Sequence, residues 1–307
     1  MRVGFLAQQI DNRGTGNALF DYAYYNEKIL GNKSYIYTFR DGDHNAAAVD
    51  RFTRYFPIVV NPSPLTDAVD VMYHIKSGED NGLRFPRTRY AVHAVFNARQ
   101  KHGDAYAAVS RWLGGRDGVP WVPHIVSLPP HRSNLRDKLG IPYDAVVFGR
   151  HGGYDTFDIP WVWSSIQRVV ERYPNKYFIF MNTKKPEYID HKNIIFLPET
   201  VAEVEKRRFI NTCDAMLHAR LRGETFGLAV GEFGICGKPI FTYELSQERA
   251  HIEELEAFGH DTYFYKTEDM LYDLLVLFEP HEVFSYTSYY PDKVMEKFKN
   301  VFLDKER

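Results

Sequence analysis

Two carboxylates, Glu224 and Glu232, stand eight positions apart in the stretch His218 to Pro239, HARLRGETFGLAVGEFGICGKP. Glu224 follows the apolar run Ala215, Met216, Leu217 and then Gly223; it precedes Thr225, Phe226, Gly227 and the helical sequence LAVGEFGI. That order predicts a strand, a turn carrying Glu224, and a helix starting near Phe226. A helix mouth aims unsatisfied backbone N–H groups and a positive dipole end outwards, which favours a bound phosphate or diphosphate. Glu224 can then accept hydrogen bonds from hydroxyls of a group attached to that phosphate. Glu232 lies about two turns further on, roughly 12 Å at 1.5 Å per residue, so the two carboxylates can hold opposite ends of one elongated ligand. A nucleoside diphosphate sugar has that form, with sugar hydroxyls at one end and ribose hydroxyls at the other. A second pair at the same spacing, Glu248 and Glu256, falls in QERAHIEELEAF, which reads as an amphipathic helix with its carboxylates in water.

The run Glu224-Thr225-Phe226-Gly227-x4-Glu232, followed by Gly237-Lys238-Pro239-Ile240, resembles the Glu-x7-Glu signature of retaining GT-B glycosyltransferases, especially those of family 4, over about 25 residues. The resemblance implies that Glu224 contacts the donor sugar, that Phe226 and Gly227 meet the diphosphate, and that Glu232 holds the ribose. It also implies an α/β GT-B fold of two Rossmann-like domains facing across a cleft. Transfer would go from a nucleoside diphosphate sugar, a UDP- or GDP-sugar, to a hydroxyl of a glycan, glycoprotein or small-molecule acceptor, with retention of anomeric configuration. Two other functions suit the same architecture: a catalytically silent nucleotide-sugar or glycan binding protein, and a nucleotide-sugar epimerase.

Open α/β sheets bind ligands beyond the carboxyl ends of their strands, so turns that follow strands are the places to look. Phe148-Gly149-Arg150-His151-Gly152-Gly153 follows an apolar run and combines glycine N–H groups with a guanidinium, a set suited to phosphate. It resembles the arginine-bearing diphosphate loop of the related transferases, which implies a role for Arg150, Gly152 and Gly153. Those enzymes usually carry a lysine five or six residues later; here Asp155-Thr156 stands in that region, leaving Lys184, Lys185, Arg220 and Arg222 to supply the cation. The first turn, Arg13-Gly14-Thr15-Gly16-Asn17-Ala18, lacks the third glycine and the distal acid of a dinucleotide fingerprint. Gly14 and Gly16 either let backbone approach a ligand or make a tight strand-to-helix connection. His93, at a predicted strand end, matches in position a family histidine that approaches the donor sugar, which implies a place at the reaction centre. His218 and His151 are weaker candidates, and Asp155 and Asp158 flank a loop without a defined role.

Asp41-Gly42-Asp43-His44 offers the Asp-x-Asp of metal-dependent transferases, but Asp-Gly-Asp is also a common turn composition. The histidines show no zinc spacing, so no metal and no other cofactor is expected. The 38 basic and 40 acidic residues nearly cancel, which argues against a nucleic-acid partner. No apolar run approaches a membrane span and the first residues do not read as a signal peptide, so a cytoplasmic location is expected. Cys213 and Cys236 read as reduced core residues.

The elements that must position these residues alternate between short apolar runs and helices, as in parallel α/β layers. In the first half, strands are predicted at 2–7, 34–39, 58–61, 69–75 and 90–95, with helices at 18–30, 46–55 and 104–113. Prolines at 120, 123, 129, 130 and 142 mark a connection. A second series has strands at 145–148, 177–181, 193–196, 215–218 and 239–243, with helices at 161–173, 201–212 and 226–236. The expected domains are therefore 1–142 on the acceptor side and 143–288 on the donor side. The amphipathic helix within 289–307 is expected to pack back on the first domain, with the aromatic stretch Phe284 to Tyr290 packing at the crossing.

Overall fold

The computed structural model of the protein describes residues 1–11, 13–40, 42–115, 118–200, 202–281, 283–285 and 288–304. It divides into two compact units, Met1–Ile125 with Ser288–Arg307, and Val126–Thr287. Asp41 of the Asp-Gly-Asp turn, Asn12 of the first turn and Tyr286 of the aromatic stretch lie outside the described residues.

The first unit runs β1 (Arg2–Leu6), α1 (Gly14–Lys28), β2 (Lys33–Thr38), α2 (Ala46–Thr53), β3 (Ile58–Val60), β4 (Val71–Lys76), β5 (Arg89–Ala94), β6 (Ala105–Ala108) and a short α3 (Arg111–Gly115). Its sheet is parallel, in the order β3-β2-β1-β4-β5-β6. Of the helix expected over 104–113, Ala105–Ala108 is strand instead and only the part from Arg111 is helical. The run Ala-Tyr-Ala-Ala pairs with β5, and the Asp104 carboxylate accepts the Tyr90 N–H at 2.8 Å, which sets the strand's register. Helix α1 begins four residues before the expected Ala18, because Asp11 accepts the Arg13 N–H at 3.0 Å and organises the turn ahead of it.

The second unit opens with α4 (Arg136–Leu139) and continues β7 (Val146–His151), α5 (Pro160–Arg172), β8 (Lys176–Met181), β9 (Ile194–Leu197), α6 (Glu203–Thr212) and β10 (Ala215–His218). It then runs β11 (Gly223–Glu224), α7 (Leu228–Ile235), β12 (Ile240–Tyr243), β13 (Glu248–Arg249), α8 (Ala250–Ala257), β14 (Thr262–Tyr265) and α9 (Glu268–Leu277). Its main sheet is parallel, in the order β14-β12-β10-β7-β8-β9, and β11 pairs with β13 as a separate ribbon. The unit starts at Val126 rather than beyond Pro142 because the proline-rich stretch is tied to it. Asn211 donates to the His131 carbonyl at 2.7 Å, Leu135 N–H donates to Thr212 Oγ1 at 2.9 Å, and Arg136 pairs with Asp214 at 2.8 Å.

Parallel strands covered on both faces are continuous apolar runs, and VVFGRH of β7 is buried throughout. Helix α5 starts on Pro160, whose missing N–H is harmless at a first helical position, and buries Val162, Trp163, Ile166, Val169 and Val170 at helical spacing. Phe148 lies at the centre, stacked on Phe178 at 5.1 Å and edge-on to Phe241 at 5.3 Å between centroids. Removing that ring would cost about 3–5 kcal/mol.

After Ser288 the chain re-enters the first unit as α10 (Pro291–Phe298) and a π-helical turn over Lys299–Leu303. Phe298 and Phe302 bury their rings against Tyr73, at 5.0 and 5.2 Å. Of the aromatic stretch before it, Phe284 is 97% exposed whereas Tyr289 is buried. No helix among the described residues is long and apolar enough to cross a membrane.

Candidate active site

In the second unit the strand order reverses between β7 and β10: the chain leaves β7 towards β8 and β9, and leaves β10 towards β12 and β14. Loops leaving such neighbours diverge, and the crevice at their carboxyl ends is the ligand position of doubly wound sheets. His151 ends β7 and the loop after it carries Gly152 and Gly153; the loop after β10 carries Arg220, Glu224, Thr225, Phe226 and Gly227.

Glu224 is positioned by the ribbon. Gly223 adopts φ 83°, and a Cβ there would come within 2.0 Å of the Glu248 carbonyl, so only glycine allows β11 to lie against β13. Glu248 therefore sits in a strand, paired with Arg222 at 2.8 Å, and not in the solvated helix expected for it. Asp158 accepts the Leu221 N–H at 2.7 Å and braces the loop from the other side. The Glu224 carboxylate meets Arg220 Nη1 at 2.5 Å and His218 Nε2 at 3.4 Å. Burial would raise its pKa, but the hydrogen bond from His218 and the charge of Arg220 hold it down to about 2. Glu224 is thus an anion at neutral pH.

Helix α7 begins two residues after Phe226, following Gly227 at φ 94° and ψ 61°, and no side chain caps its N-terminus. Thr225 and Phe226 are buried beside it. One turn into the helix, Glu232 meets Lys206 Nζ at 2.5 Å and lies 3.0 Å from His151 Nε2. Burial again opposes ionisation, but Lys206 and His151 bring its pKa to about 2. Two ionised carboxylates, each on its own cation, thereby bracket an uncapped helix mouth.

Arg150 is placed differently from its expected role. Its guanidinium is buried and donates to Asn182 O at 3.1 Å, Thr183 Oγ1 at 2.5 Å, Gly153 O at 2.7 Å and Thr156 Oγ1 at 2.6 Å. Burial lowers its pKa to about 10. With one terminal nitrogen committed to its own loop and the other to the loop after β8, Arg150 shapes the Gly152-Gly153 turn rather than presenting a charge to a ligand. Gly152 lies at φ 151°, and its carbonyl accepts from Asn182 at 2.8 Å. Lys184 and Lys185 are exposed, and Arg222 is committed to Glu248, so Arg220 is the expected cation that stands against Glu224.

His93 is also corrected. It is 0% exposed in the core of the first unit, with Nδ1 2.6 Å from Tyr73 Oη and Nε2 2.9 Å from Val122 O. Burial lowers its pKa to about 3 despite the carbonyl contacts. Both nitrogens are used inside the core, so the ring has no proton to offer a sugar. Gly16 serves the connection: a Cβ would come within 2.1 Å of the Asp11 carbonyl. Gly14 opens α1 and is exposed. His44 donates from Nε2 to Phe39 O (2.8 Å) and accepts at Nδ1 from Ile10 N–H (3.1 Å), bracing the turn that holds Gly42 and Asp43. Cys213 is buried as expected, whereas Cys236 is half-buried beside Arg207 at 3.0 Å.

Lys206, Thr242 and His251 escaped the sequence reading. Thr242 lies at the carboxyl end of β12, beside His218 in register, so the strand-end rule that nominated His218 applied equally to it. Lys206 and His251 lie on α6 and α8, far along the chain, and no local pattern singles them out.

No protein-family model matches the chain, and no curated protein sequence matches it significantly. Solved structures do. Anabaena Alr3699/HepE, solved in complex with UDP and glucose, is 15% identical, with 98% of this chain covering 95% of that one at a TM-score of 0.62. WaaG, a glycosyltransferase involved in lipopolysaccharide biosynthesis, is 12% identical over 89% of each chain at 0.60. A glycosyltransferase from Rickettsia africae is 11% identical, over 98% of this chain and 94% of that one, at 0.62. Together with two six-stranded parallel sheets of one strand order, these likenesses show that the chain has the GT-B glycosyltransferase fold.

Proposed function

We propose that the protein is a retaining, family-4-like glycosyltransferase that moves a sugar from a nucleoside diphosphate sugar to a hydroxyl of a glycan, glycoprotein or small-molecule acceptor. The observation that carries this reading is the pair of ionised carboxylates, Glu224 and Glu232, on either side of the uncapped mouth of α7. In it, Glu224 accepts hydrogen bonds from sugar hydroxyls, the first turn of α7 and the Gly152-Gly153 turn meet the diphosphate, and Glu232 accepts from the ribose. Arg220 supplies the cation beside the leaving group. The complexes of HepE with UDP and with UDP-glucose support a uridine donor.

The proposed chemistry needs no carboxylate nucleophile. The bond from the anomeric carbon to the diphosphate oxygen breaks, with its electron pair going to that oxygen, stabilised by Arg220 and helix N–H groups. The acceptor oxygen bonds to the anomeric carbon on the same face, and its proton passes to the departing phosphate oxygen. No metal takes part.

A thermal-shift screen of UDP, GDP, ADP and TDP and their sugar conjugates, with and without magnesium, tests the reading on wild type and Glu232→Ala. A ligand at a hundred times its dissociation constant stabilises by about 2.7 kcal/mol. One nucleotide family should shift the wild type without magnesium and fail to shift the variant. Absence of any shift, or one untouched by Glu232→Ala, would remove the assignment; an inverted product anomer would remove retention. Conversion of the donor sugar without an acceptor would favour the epimerase.

A further inference from the structure

His218 and Thr242 stand opposite one another in register at the carboxyl ends of β10 and β12. His218 Nδ1 lies 2.9 Å from Thr242 Oγ1, and His251 Nε2 lies 3.2 Å from the same oxygen. The two imidazole rings are 4.7 Å apart between centroids. All three residues are buried, and His251 Nδ1 has no hydrogen-bond partner among the described residues. His251 also backs the helix mouth, since a Cβ on Gly227 would come within 3.2 Å of the His251 Cβ.

A hydroxyl has a single proton to donate, so it can serve only one of the two rings as donor. If Thr242 donates to His251, then His218 must donate from Nδ1. A neutral His218 would then turn a lone pair towards the Glu224 carboxylate, and His251 would bury an Nδ1–H without an acceptor. If Thr242 donates to His218, His251 donates from Nε2 to Thr242, and His218 donates from Nε2 to Glu224. Every short contact then joins a donor to an acceptor, and what remains is one buried lone pair.

We propose that Thr242 and His251 are positioning residues that fix His218 as its neutral Nε2–H tautomer, so that a constant donor holds the Glu224 carboxylate in place for the sugar. The part concerning the sugar rests on the transferase reading; the tautomer does not. Burial keeps His251 neutral, as the chain of donors requires. Arg220 holds the other oxygen of Glu224, so the carboxylate is fixed at both ends before any ligand arrives.

The test is a two-bond nitrogen–proton correlation spectrum of the whole protein labelled with nitrogen-15 histidine, His218 being assigned by its loss in His218→Gln. The wild type should show His218 as the Nε2–H tautomer. Thr242→Val should give a mixture, and Thr242→Ser should restore one form; Thr242→Ala replaces the valine variant if that fails to fold. A wild-type His218 that is Nδ1–H or doubly protonated, or one unchanged by loss of the hydroxyl, overturns the proposal. In the donor assay, Thr242→Val should raise the KM for the nucleotide sugar about tenfold, one charge-assisted hydrogen bond's worth, while the Kd for the free nucleoside diphosphate moves less than about twofold. An unchanged KM overturns the positioning role. Failure of the wild type to bind any nucleoside diphosphate removes the transferase reading and leaves the tautomer result intact.

Discussion

Glu224 and Glu232 carry the pH behaviour expected of the site. Both carboxyls are held near 2 against an ordinary 4.5. Because the folded pKa is the lower one, the unfolded chain takes up protons first as the pH falls. The stabilisation is therefore complete above about pH 5, declines between roughly 4.5 and 2, and is absent below that. Each carboxylate contributes on the order of 1–3 kcal/mol. Urea denaturation of the wild type at pH 6, 4 and 3 should show this loss, and Glu232→Gln should show a shallower one; parallel profiles would mean that Lys206 and His151 do not hold Glu232 as an anion.

At the scale of elements, the loops at the crevice are shaped by residues that never face it. Arg150 donates two hydrogen bonds into the turn after β7 and two into the turn after β8. Lysine keeps the charge but not the planar fork, so Arg150→Lys should cost about 2–4 kcal/mol and loosen the Gly152-Gly153 turn. Hydrogen exchange of residues 151–156 reads that loosening directly, and unaltered protection would return Arg150 to the role of a ligand-facing cation. Gly223→Ala tests the ribbon. Its methyl would meet the Glu248 carbonyl at 2.0 Å in a left-handed backbone. Parting of β11 from β13 should destabilise the second unit by about 2–4 kcal/mol and weaken nucleotide-sugar binding more than nucleoside diphosphate binding. Equal weakening of both ligands would mean that the ribbon does not serve Glu224 in particular.

Across the whole molecule the first unit is discontinuous, since residues 288–307 complete it after the chain has built the second. Phe298 is fully buried there, 5.0 Å from the Tyr22 and Tyr73 rings and 6.3 Å from Phe5. Phe298→Ala should destabilise the first unit by about 3–5 kcal/mol. Peptides from residues 1–125 should then exchange faster while those from 126–287 keep their protection; uniform loss across the chain would show that the two units unfold as one.

Local chemistry made the second half legible. The apolar run before Glu224, Gly223, the Phe226-Gly227 turn and the helical LAVGEFGI each report a conformation that nearby residues impose, and β10 and α7 lie where these place them. The same local reading misjudged 105–108, where pairing to β5 overrode an alanine-rich helical composition, and Glu248, which the ribbon drew out of the predicted helix. It also did not find β14 or α9. For the site, residue type and spacing nominated Glu224 and Glu232 together with the helix mouth. Which cation each carboxylate meets was decided only by tertiary structure, because Lys206 is brought to Glu232 from 26 residues away, and His251 to Thr242 from another helix. Tertiary structure likewise turned Arg150 towards the loops after β7 and β8 and closed His93 inside a core. A sequence states which groups can ionise or donate; whether a given proton faces a ligand, a carbonyl or another ring depends on distances that only the packed chain sets.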